Sequence, residues 1–229
     1  MNEWWISLIA VAATLVTYRL GISLYRMLPS PFMLPLLSST FLIVIFLLIT
    51  DISYDTYMIG GQWIESLLGP AIVALAYPLY KQAEMLKKYF WPIIGGVLLG
   101  AFVGILSGIY LARLFGIEEF LLFSLVPKSV TTPVAMEVAA SIGGAPPLAA
   151  VFVVVAGIGG VVLSGYLFKL CKIDHFLGKG IGLGAASHAI GTAKALENNE
   201  KEGAASSIAM TLSAVVVSIL APLIISFLY

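Results

Sequence analysis

Residues 91–114 read WPIIGGVLLGAFVGILSGIYLARL and carry one charged side chain, Arg113, near their end. A helix of this length spans about 36 Å, which exceeds the roughly 30 Å hydrocarbon core of a bilayer. Glycines recur every four residues, and such small-residue stripes let helix backbones approach closely in lipid. We therefore predict a membrane-spanning helix that packs against other helices through the glycines at 96, 100, 104 and 108.

The composition of the whole chain extends this prediction to the protein. Of its 229 residues, 60% are hydrophobic and only 10% are charged, and the mean hydropathy is +1.04. Twelve basic and twelve acidic residues cancel, so there is no excess positive charge to hold a nucleic acid, and we exclude that partner. The single Cys171 cannot form an internal disulfide, and we expect no metal site, no cofactor and no enzymatic activity.

Long apolar runs predict about six membrane-spanning helices in an all-α polytopic protein. The third run is interrupted by Gly69 and Pro70, which predicts a broken helix. We treat 1–229 as a single transmembrane domain, in which 4–56 form scaffold helices and 57–229 form a transport core. The predicted spans are 4–27, 32–50, 57–80, 91–114, 148–170 and 204–229.

Two further segments, 118–147 and 180–199, are too short and too polar in the middle to be ordinary spans. Irregular backbone at membrane depth is tolerated only where it is buried or lines a cavity. If basic connectors share one membrane face, each segment enters and leaves on the same side, as a re-entrant hairpin or discontinuous helix. The alternative is that one or both cross fully, and Arg113, which falls on the less basic face, counts against the hairpin topology.

A weak internal repeat is consistent with two hairpins of opposite orientation. At a shift of 57 residues, Leu106-Ser107-Gly108 aligns with Leu163-Ser164-Gly165 without gaps. At a shift of 60, Thr132, Ala135 and Glu137 align with Thr192, Ala195 and Glu197. Inverted repeats with paired broken helices are typical of secondary transporters with a site at the midplane. Chance similarity between apolar segments is the alternative.

The first candidate site is VPKSVTTPVAMEV, residues 126–138. Pro127 and Pro133 disfavour helix between them, and Thr132 is placed to cap the helix that Pro133 begins. A helix N-terminus at this point is a seat for a carboxylate. We expect the substrate-binding groups here to be Lys128, Ser129, Thr131 and Thr132, with Glu137 as a proton-coupling group. The alternative for Lys128 is a loop side chain that reaches the membrane interface.

The second candidate site is GLGAASHAIGTAKALE, residues 182–197. We place its helix break at Gly191-Thr192, and we expect substrate contacts from Ser187, His188, Gly191, Thr192 and Lys194. A histidine titrates near neutral pH, so His188 is also a proton-coupling candidate together with Glu137. Two alternatives stay open: a packed neutral His188 that bonds only to backbone, and a Lys194 that only pairs with Glu197 at i, i+3 spacing.

Three strings resemble the signatures of the LrgB/CidB family: LLGPAIVALAYPLYKQ (67–82), VPKSVTTPVAMEV (126–138) and ASHAIGTAKALE (186–197). The resemblance covers essentially the whole chain. It implies one of two functions in a bacterial inner membrane. One is antiholin-like or holin-like control of murein hydrolase export and autolysis, together with a small LrgA/CidA-type partner. The other is transport of small monocarboxylates, as in the similar plastid glycolate/glycerate transporter. Lys194 stands where many relatives carry Arg, which loses bidentate geometry.

The sequence patterns favour an anion carrier that works by alternating access, and the family resemblance implies glycolate, glycerate, lactate or pyruvate as its substrates. Its two hairpins would meet near the midplane and hold the substrate carboxylate. The holin-like regulator is the alternative. Homodimerisation is an expectation from the fold type alone.

Overall fold

The computed structural model describes residues 3–30, 33 and 35–229. Their regular structure is helical, which confirms the predicted all-α class. The helices are α1 (Glu3–Met27), α2 (Pro35–Thr50), α3 (Tyr54–Glu65), α4 (Leu68–Ala74), α5 (Ala76–Lys81), α6 (Ala83–Lys88), α7 (Phe90–Leu114), α8 (Glu119–Leu125), α9 (Thr132–Ser141), α10 (Pro146–Leu170), α11 (Phe176–Asn198) and α12 (Glu200–Leu228).

Five stretches among the described residues are long and apolar enough to cross a membrane: α1, the run Tyr54–Lys81, α7, α10 and α12. The apolar α2 has 16 residues and is shorter than the usual span of about 20. Together they agree with the prediction of about six spans, and the chain is a multi-pass membrane protein. Phe32, where we placed the start of the second span, lies outside the described residues.

The predicted break in the third span is present, but Gly69 and Pro70 do not form it. The chain leaves the helix at 66–67, and both residues lie inside α4. Pro70 is the third residue of α4, where a missing amide hydrogen costs nothing because the first turn has no intrahelical acceptor for it. The helix break therefore lies before Pro70, between the end of α3 at Glu65 and the start of α4 at Leu68, and not at the proline itself.

The chain divides into two compact units, one that ends at Pro70 and a second that comprises Ala71–Tyr229. In the first unit, α1 packs against α2 and α3, and the Thr14 and Tyr57 hydroxyls lie 2.8 Å apart. The boundary between the compact units lies inside α4, between Pro70 and Ala71, and the predicted division at 56/57 into scaffold and transport roles stays a prediction.

In the second unit, α7 and α10 run in opposite directions. A Cβ built on Gly96 would lie 2.8 Å from Ile181, and one on Gly100 would lie 3.4 Å from Ala185, so α7 is parallel to the first half of α11. On α10 the order is reversed, because Gly160 faces Ser187 while Phe168 faces Gly182. This antiparallel course is the orientation that an inverted repeat requires.

The segment between α7 and α10 is therefore a hairpin, since it joins helices of opposite direction at one end of the unit. It comprises α8, an irregular tip at 126–131, and α9, and we call 118–145 hairpin 1. The end of hairpin 1 is fixed beside the C-terminal end of α8, because the amide of Ala145 donates to Ser124 Oγ over 2.8 Å.

Helix α11 is a second hairpin, which we call hairpin 2. Its first arm is parallel to α12, because Gly180 faces Ala205 and Gly184 faces Ala209. Its second arm is antiparallel to α12, because Thr192 pairs with Ser206 and Leu196 contacts Gly203. The two hairpins enter from opposite ends of the unit, as predicted. Thr132 and Thr192, the first residues of the 60-residue match, lie on the two returning arms.

Arg113 has a local explanation that leaves this topology intact. Its Nε donates to the Tyr229 hydroxyl over 2.9 Å, and its guanidinium lies 4.5 Å from the centre of the Tyr229 ring. Phe123 of α8 packs edge-on against the same ring. A cation held by an aromatic face and a hydroxyl is a structural group at this end of the bundle, not a marker of the basic face.

Candidate functional site

The tip of hairpin 1 has the irregular backbone that its two prolines predict. Residues 126–131 lie outside the helices, and α9 begins at Thr132. The N-cap is Thr131 rather than Thr132, one residue earlier than expected, and its side chain makes no capping bond. The Thr131 hydroxyl is buried and, among the described residues, has no hydrogen-bond partner. It is a polar group available to a bound molecule or to water.

Lys128 projects from this tip onto α7. Its ammonium donates to the carbonyl oxygen of Gly104 over 2.9 Å. Gly108, one turn further along α7, leaves the space that the ammonium occupies, because a Cβ there would lie 2.6 Å from Nζ. Ser129 is buried next to Gly104. Lys128 is therefore half-buried and bonded to α7, and its depth relative to the membrane interface stays a prediction.

The tip of hairpin 2 is at His188, three residues before the predicted break at Gly191-Thr192. His188 has φ 43° and ψ −130°, a conformation that residues with a side chain rarely adopt. Gly191 has a different role: it lets the two arms touch, since a Cβ on it would collide with the Leu183 carbonyl and lie 2.7 Å from the Ser187 Cβ.

The polar groups of hairpin 2 are directed into the protein. His188 Nε2 lies 2.9 Å from the carbonyl oxygen of Val153 on α10. A carbonyl only accepts, so Nε2 carries the hydrogen. Thr192 Oγ1 donates to the His188 carbonyl over 2.9 Å and lies 3.0 Å from Ser206 Oγ. These bonds join the hairpin to α10 and α12.

A cavity of about 340 Å³ lies where the two hairpins approach each other. Of the predicted site residues it contains Lys128 and Ser129, which are the polar side chains in its wall as far as the chain is described. The remaining wall comes from α7, α10 and the first arm of hairpin 2: Gly96, Gly100, Val103, Gly104, Ala156, Ile181, Gly182, Ala185 and Ala186. The sequence predicts that the α7 glycines are sliding or packing surfaces, and three of them, Gly96, Gly100 and Gly104, also form part of this wall.

The other predicted residues lie elsewhere in this conformation. Glu137 is exposed on α9 and makes no hydrogen bond with His188, so the proton-coupling pair is not formed. Lys194 is exposed and pairs with Glu197 over 3.1 Å, which is the alternative we had left open. Ser187, Gly191 and Thr192 are buried within hairpin 2 and its contacts and do not line the cavity.

This arrangement can bind a small anion. An ammonium and a hydroxyl project into a cavity whose other wall residues are apolar, and electrostatic attraction is stronger there than in water. A carboxylate oxygen is a better acceptor for an ammonium than the Gly104 carbonyl that it contacts now. Within the described residues, no group of three His, Cys, Asp or Glu side chains could hold a metal ion.

Comparison with known proteins gives matches along the chain. An uncharacterized protein of Bacillus subtilis strain 168, YxaC, is 49% identical over 225 residues, which cover 98% of each chain. The holin-like protein CidB of Staphylococcus aureus strain Mu50 is 37% identical, and the holin-like protein CidB of Staphylococcus epidermidis strain ATCC 12228 is 34% identical, each over 229 residues and 100% of both chains. No solved structure matches. The model of the LrgB-like family matches residues 14–227, and the chain belongs to that family.

Proposed function

We propose that this LrgB-family membrane protein is a carrier of small organic monocarboxylates such as glycolate, glycerate, lactate or pyruvate. The observation that supports the proposal is the cavity between two oppositely inserted hairpins, with the Lys128 ammonium in its wall. Buried ionisable groups are costly in a membrane and are functional hypotheses by default. A protein whose activity is only to assemble has no evident need for a lysine in the wall of such a cavity.

The wall of the cavity favours a substrate with one negative charge. Lys128 is its cationic side chain, and Ser129 adds one hydroxyl. A second carboxylate would have to lie against glycine, alanine and valine, where an uncompensated charge is strongly disfavoured. A substrate with one carboxylate and a short carbon chain satisfies both parts of this surface.

Several finer expectations belong to this proposal. Proton coupling through Glu137 and His188 requires a conformation other than the one described, since the two groups do not meet in it. Substrate contacts from Thr131 and Thr132 require a conformation other than the one described, since neither residue lines the cavity in it. An inner-membrane location in a bacterium and a homodimeric state are further parts of the proposal.

Uptake into proteoliposomes tests the carrier. We expect saturable entry of radiolabelled glycolate or pyruvate that is competed by unlabelled monocarboxylates and not by succinate. Lys128→Met keeps the length of the side chain and removes its charge, and should lower uptake at least tenfold, since a hydrogen bond to a charged group is worth roughly 1.5–3 kcal/mol. Lys172→Met is the matched control, because Lys172 is exposed at the end of α10. Equal loss in both variants, or no saturable uptake, contradicts the proposal.

The second candidate is a holin-like regulator of autolysis that acts with a small LrgA/CidA-type membrane protein. The names of the CidB relatives support it more directly than they support transport. A holin-like assembly would release solutes without chemical selectivity. The same liposomes, loaded with a fluorescent dye, separate the candidates: a carrier retains the dye while it exchanges monocarboxylates, whereas a holin-like assembly releases the dye and shows no saturable uptake.

A further inference from the structure

Two buried hydroxyl groups of the second unit have no hydrogen-bond partner among the described residues: Thr131 Oγ1 at the tip of hairpin 1 and Ser213 Oγ in α12. Thr131 is 7% exposed and Ser213 is 1% exposed. A hydroxyl that leaves water without gaining another partner is destabilising, so such a group usually marks a bound water, ion or ligand.

Ser213 differs in this respect from other hydroxyl residues of α12. Thr211 donates to the Ser207 carbonyl over 2.9 Å, and Ser218 donates to the Ala214 carbonyl over 2.7 Å. A helix offers every serine the carbonyl oxygen four residues earlier, yet the Ser213 hydroxyl does not use it. It therefore remains available to a molecule that is not part of the helix.

The two hydroxyls lie in the same layer of the second unit. Helix α9 packs against α12. Val134, one turn after Thr131, lines a cavity together with Ala214, the residue after Ser213. Val130, just before Thr131, belongs to the same buried cluster as Val134 and Ala214. The start of α9 thus lies beside α12 at about the level of Ser213.

The tip of hairpin 2 reaches this level as well. Ser213 continues the face of α12 that carries Ser206 and Met210, and both of these residues contact Thr192 of hairpin 2. The first arm of hairpin 2 runs parallel to α12, with Gly184 against Met210. About one turn later the arm ends at the tip, which is therefore level with Ser213.

The surroundings favour a negatively charged ligand. Thr131 is the N-cap of the ten-residue α9 and makes no capping bond, and the first-turn amides of a helix have no intrahelical acceptor. The site therefore presents O–H and N–H donors at the positive end of a helix. Glu202, the buried acidic side chain of the described chain, lies eleven residues before Ser213 on α12, about 16 Å away by helical rise. A cation would find no carboxylate here.

We propose that the α9 N-terminus, the Thr131 hydroxyl and the Ser213 hydroxyl form a seat for a small monoanion, separate from the cavity that contains Lys128. Neither hydroxyl is part of the wall of that cavity. Both are more than nine-tenths buried, which favours a halide ion or a single carboxylate group. An anion in this seat joins the tip of hairpin 1 to α12. The inference goes beyond the proposed function, because the seat binds its anion whether or not the protein transports.

Thermal unfolding of the purified full-length protein in detergent tests the seat, with sodium bromide and sodium glycolate as the probes. We expect an anion at ten times its dissociation constant to raise the midpoint by roughly 3–6 °C. Thr131→Val and Ser213→Ala should lose this rise. Without added anion they should keep or raise the midpoint, because each removes a buried hydroxyl that has no partner.

Ser218→Ala is the matched control, because it removes a hydroxyl of the same helix that already bonds to a carbonyl, and it should keep the rise. The double variant, Thr131→Val with Ser213→Ala, tests whether the two hydroxyls share one ligand. With a shared anion the double variant loses no more of the rise than either single variant. Losses that add would indicate two separate sites and overturn the single seat.

A rise with both salts, or with bromide alone, supports a seat for free small anions, and a rise with glycolate alone identifies the substrate carboxylate as the occupant. No rise with either salt overturns the inference. So does a rise that survives both substitutions, as glycolate held only by Lys128 would give, and so does an equal loss in Ser218→Ala.

Proteoliposome uptake separates this inference from the proposed function. A rise that depends on Thr131 and Ser213, without any monocarboxylate uptake, refutes the carrier and leaves the seat in place. Saturable uptake together with a midpoint that does not respond to either anion refutes the seat alone.

Discussion

The two hairpins reverse the chain by different means. Hairpin 1 uses six residues outside any helix, 126–131, with Pro127 at their start and Pro133 just after them. Hairpin 2 reverses at a single residue, His188, whose backbone has a positive φ. The first turn is prescribed locally by residues that cannot continue a helix. The second is maintained by tertiary contacts, which must offset a backbone cost of about 1–3 kcal/mol.

The tips also differ in where they direct their basic side chains. Lys128 lies in the wall of the cavity, whereas His188 is directed at α10 and is 3% exposed. A group in the cavity wall can exchange its partner for a substrate. A group enclosed by helix backbone cannot do so without movement of the hairpin. On the proposed function, we therefore expect anion binding at hairpin 1 and a structural attachment to α10 at hairpin 2.

The largest effect on stability is expected at Gly191, because the sharp reversal of hairpin 2 requires its arms to touch. A Cβ at this position collides with the Leu183 carbonyl, which is backbone and cannot move aside alone. We expect Gly191→Ala to destabilise the protein by about 2–3 kcal/mol. The midpoint of thermal unfolding in detergent at a fixed heating rate should fall by roughly 4–10 °C.

Gly159→Ala is the control for Gly191→Ala, since its added methyl group has no neighbour within 4 Å, and it should keep or slightly raise the midpoint. If Gly191→Ala behaves like Gly159→Ala, the arms of hairpin 2 are not in contact. The contrast with hairpin 1, whose two helices are joined by six residues outside any helix, would then be wrong.

The sequence was sufficient for the fold and for one of the two tips. Hydropathy identified the long spans because every helix face that contacts lipid must be apolar. The break near Pro127 and Pro133 was found because proline acts at its own position. The break at His188 was missed because no local pattern requires a positive φ at a histidine. Gly191 was predicted as the break. A glycine is needed there instead because residue 191 packs directly against the backbone of Leu183, eight residues earlier.

Side-chain roles were harder to predict than breaks. Lys128 and Lys194 were both predicted to bind substrate for the same reason: each is a basic residue next to a predicted helix break in an apolar segment. One is half-buried against Gly104, and the other is 45% exposed and paired with Glu197. Lys128 lies on an irregular tip that contacts α7, whereas Lys194 lies on the exposed side of a helical arm that contacts α12 through Thr192. Both outcomes are decided by contacts distant in the chain.

Substitutions at His188 should have an intermediate effect on stability. The sign of the stability difference between two of them tests whether the backbone at 188 is strained. His188→Ala and His188→Gly both lose the bond to Val153, but only glycine accepts the backbone conformation without cost. We therefore expect the glycine variant to be the more stable of the two by about 1–2 kcal/mol, measured as above. In an ordinary helix the order is reversed, with alanine favoured by about 0.5–1 kcal/mol.

Ala189→Gly gives that ordinary reference one residue away, on an exposed position of the same helix, and should lower the midpoint. If His188→Gly is less stable than His188→Ala, then residue 188 is not strained, and hairpin 2 is held by its packing alone.

The smallest effect is expected at Lys194. This lysine is the counterpart of Lys128 in the comparison, because each is a basic residue close to the tip of its own hairpin. The Lys194–Glu197 pair is exposed, and pairs of this kind contribute about 0–1 kcal/mol. Lys194→Met should therefore change the thermal midpoint by less than about 2 °C and leave monocarboxylate uptake within about twofold, since it lies outside the cavity. A full loss of uptake with an unchanged midpoint would mean that hairpin 2 also presents a cation to the substrate in another conformation. Anion binding would then be shared by the two tips, and the division of roles between them would not hold.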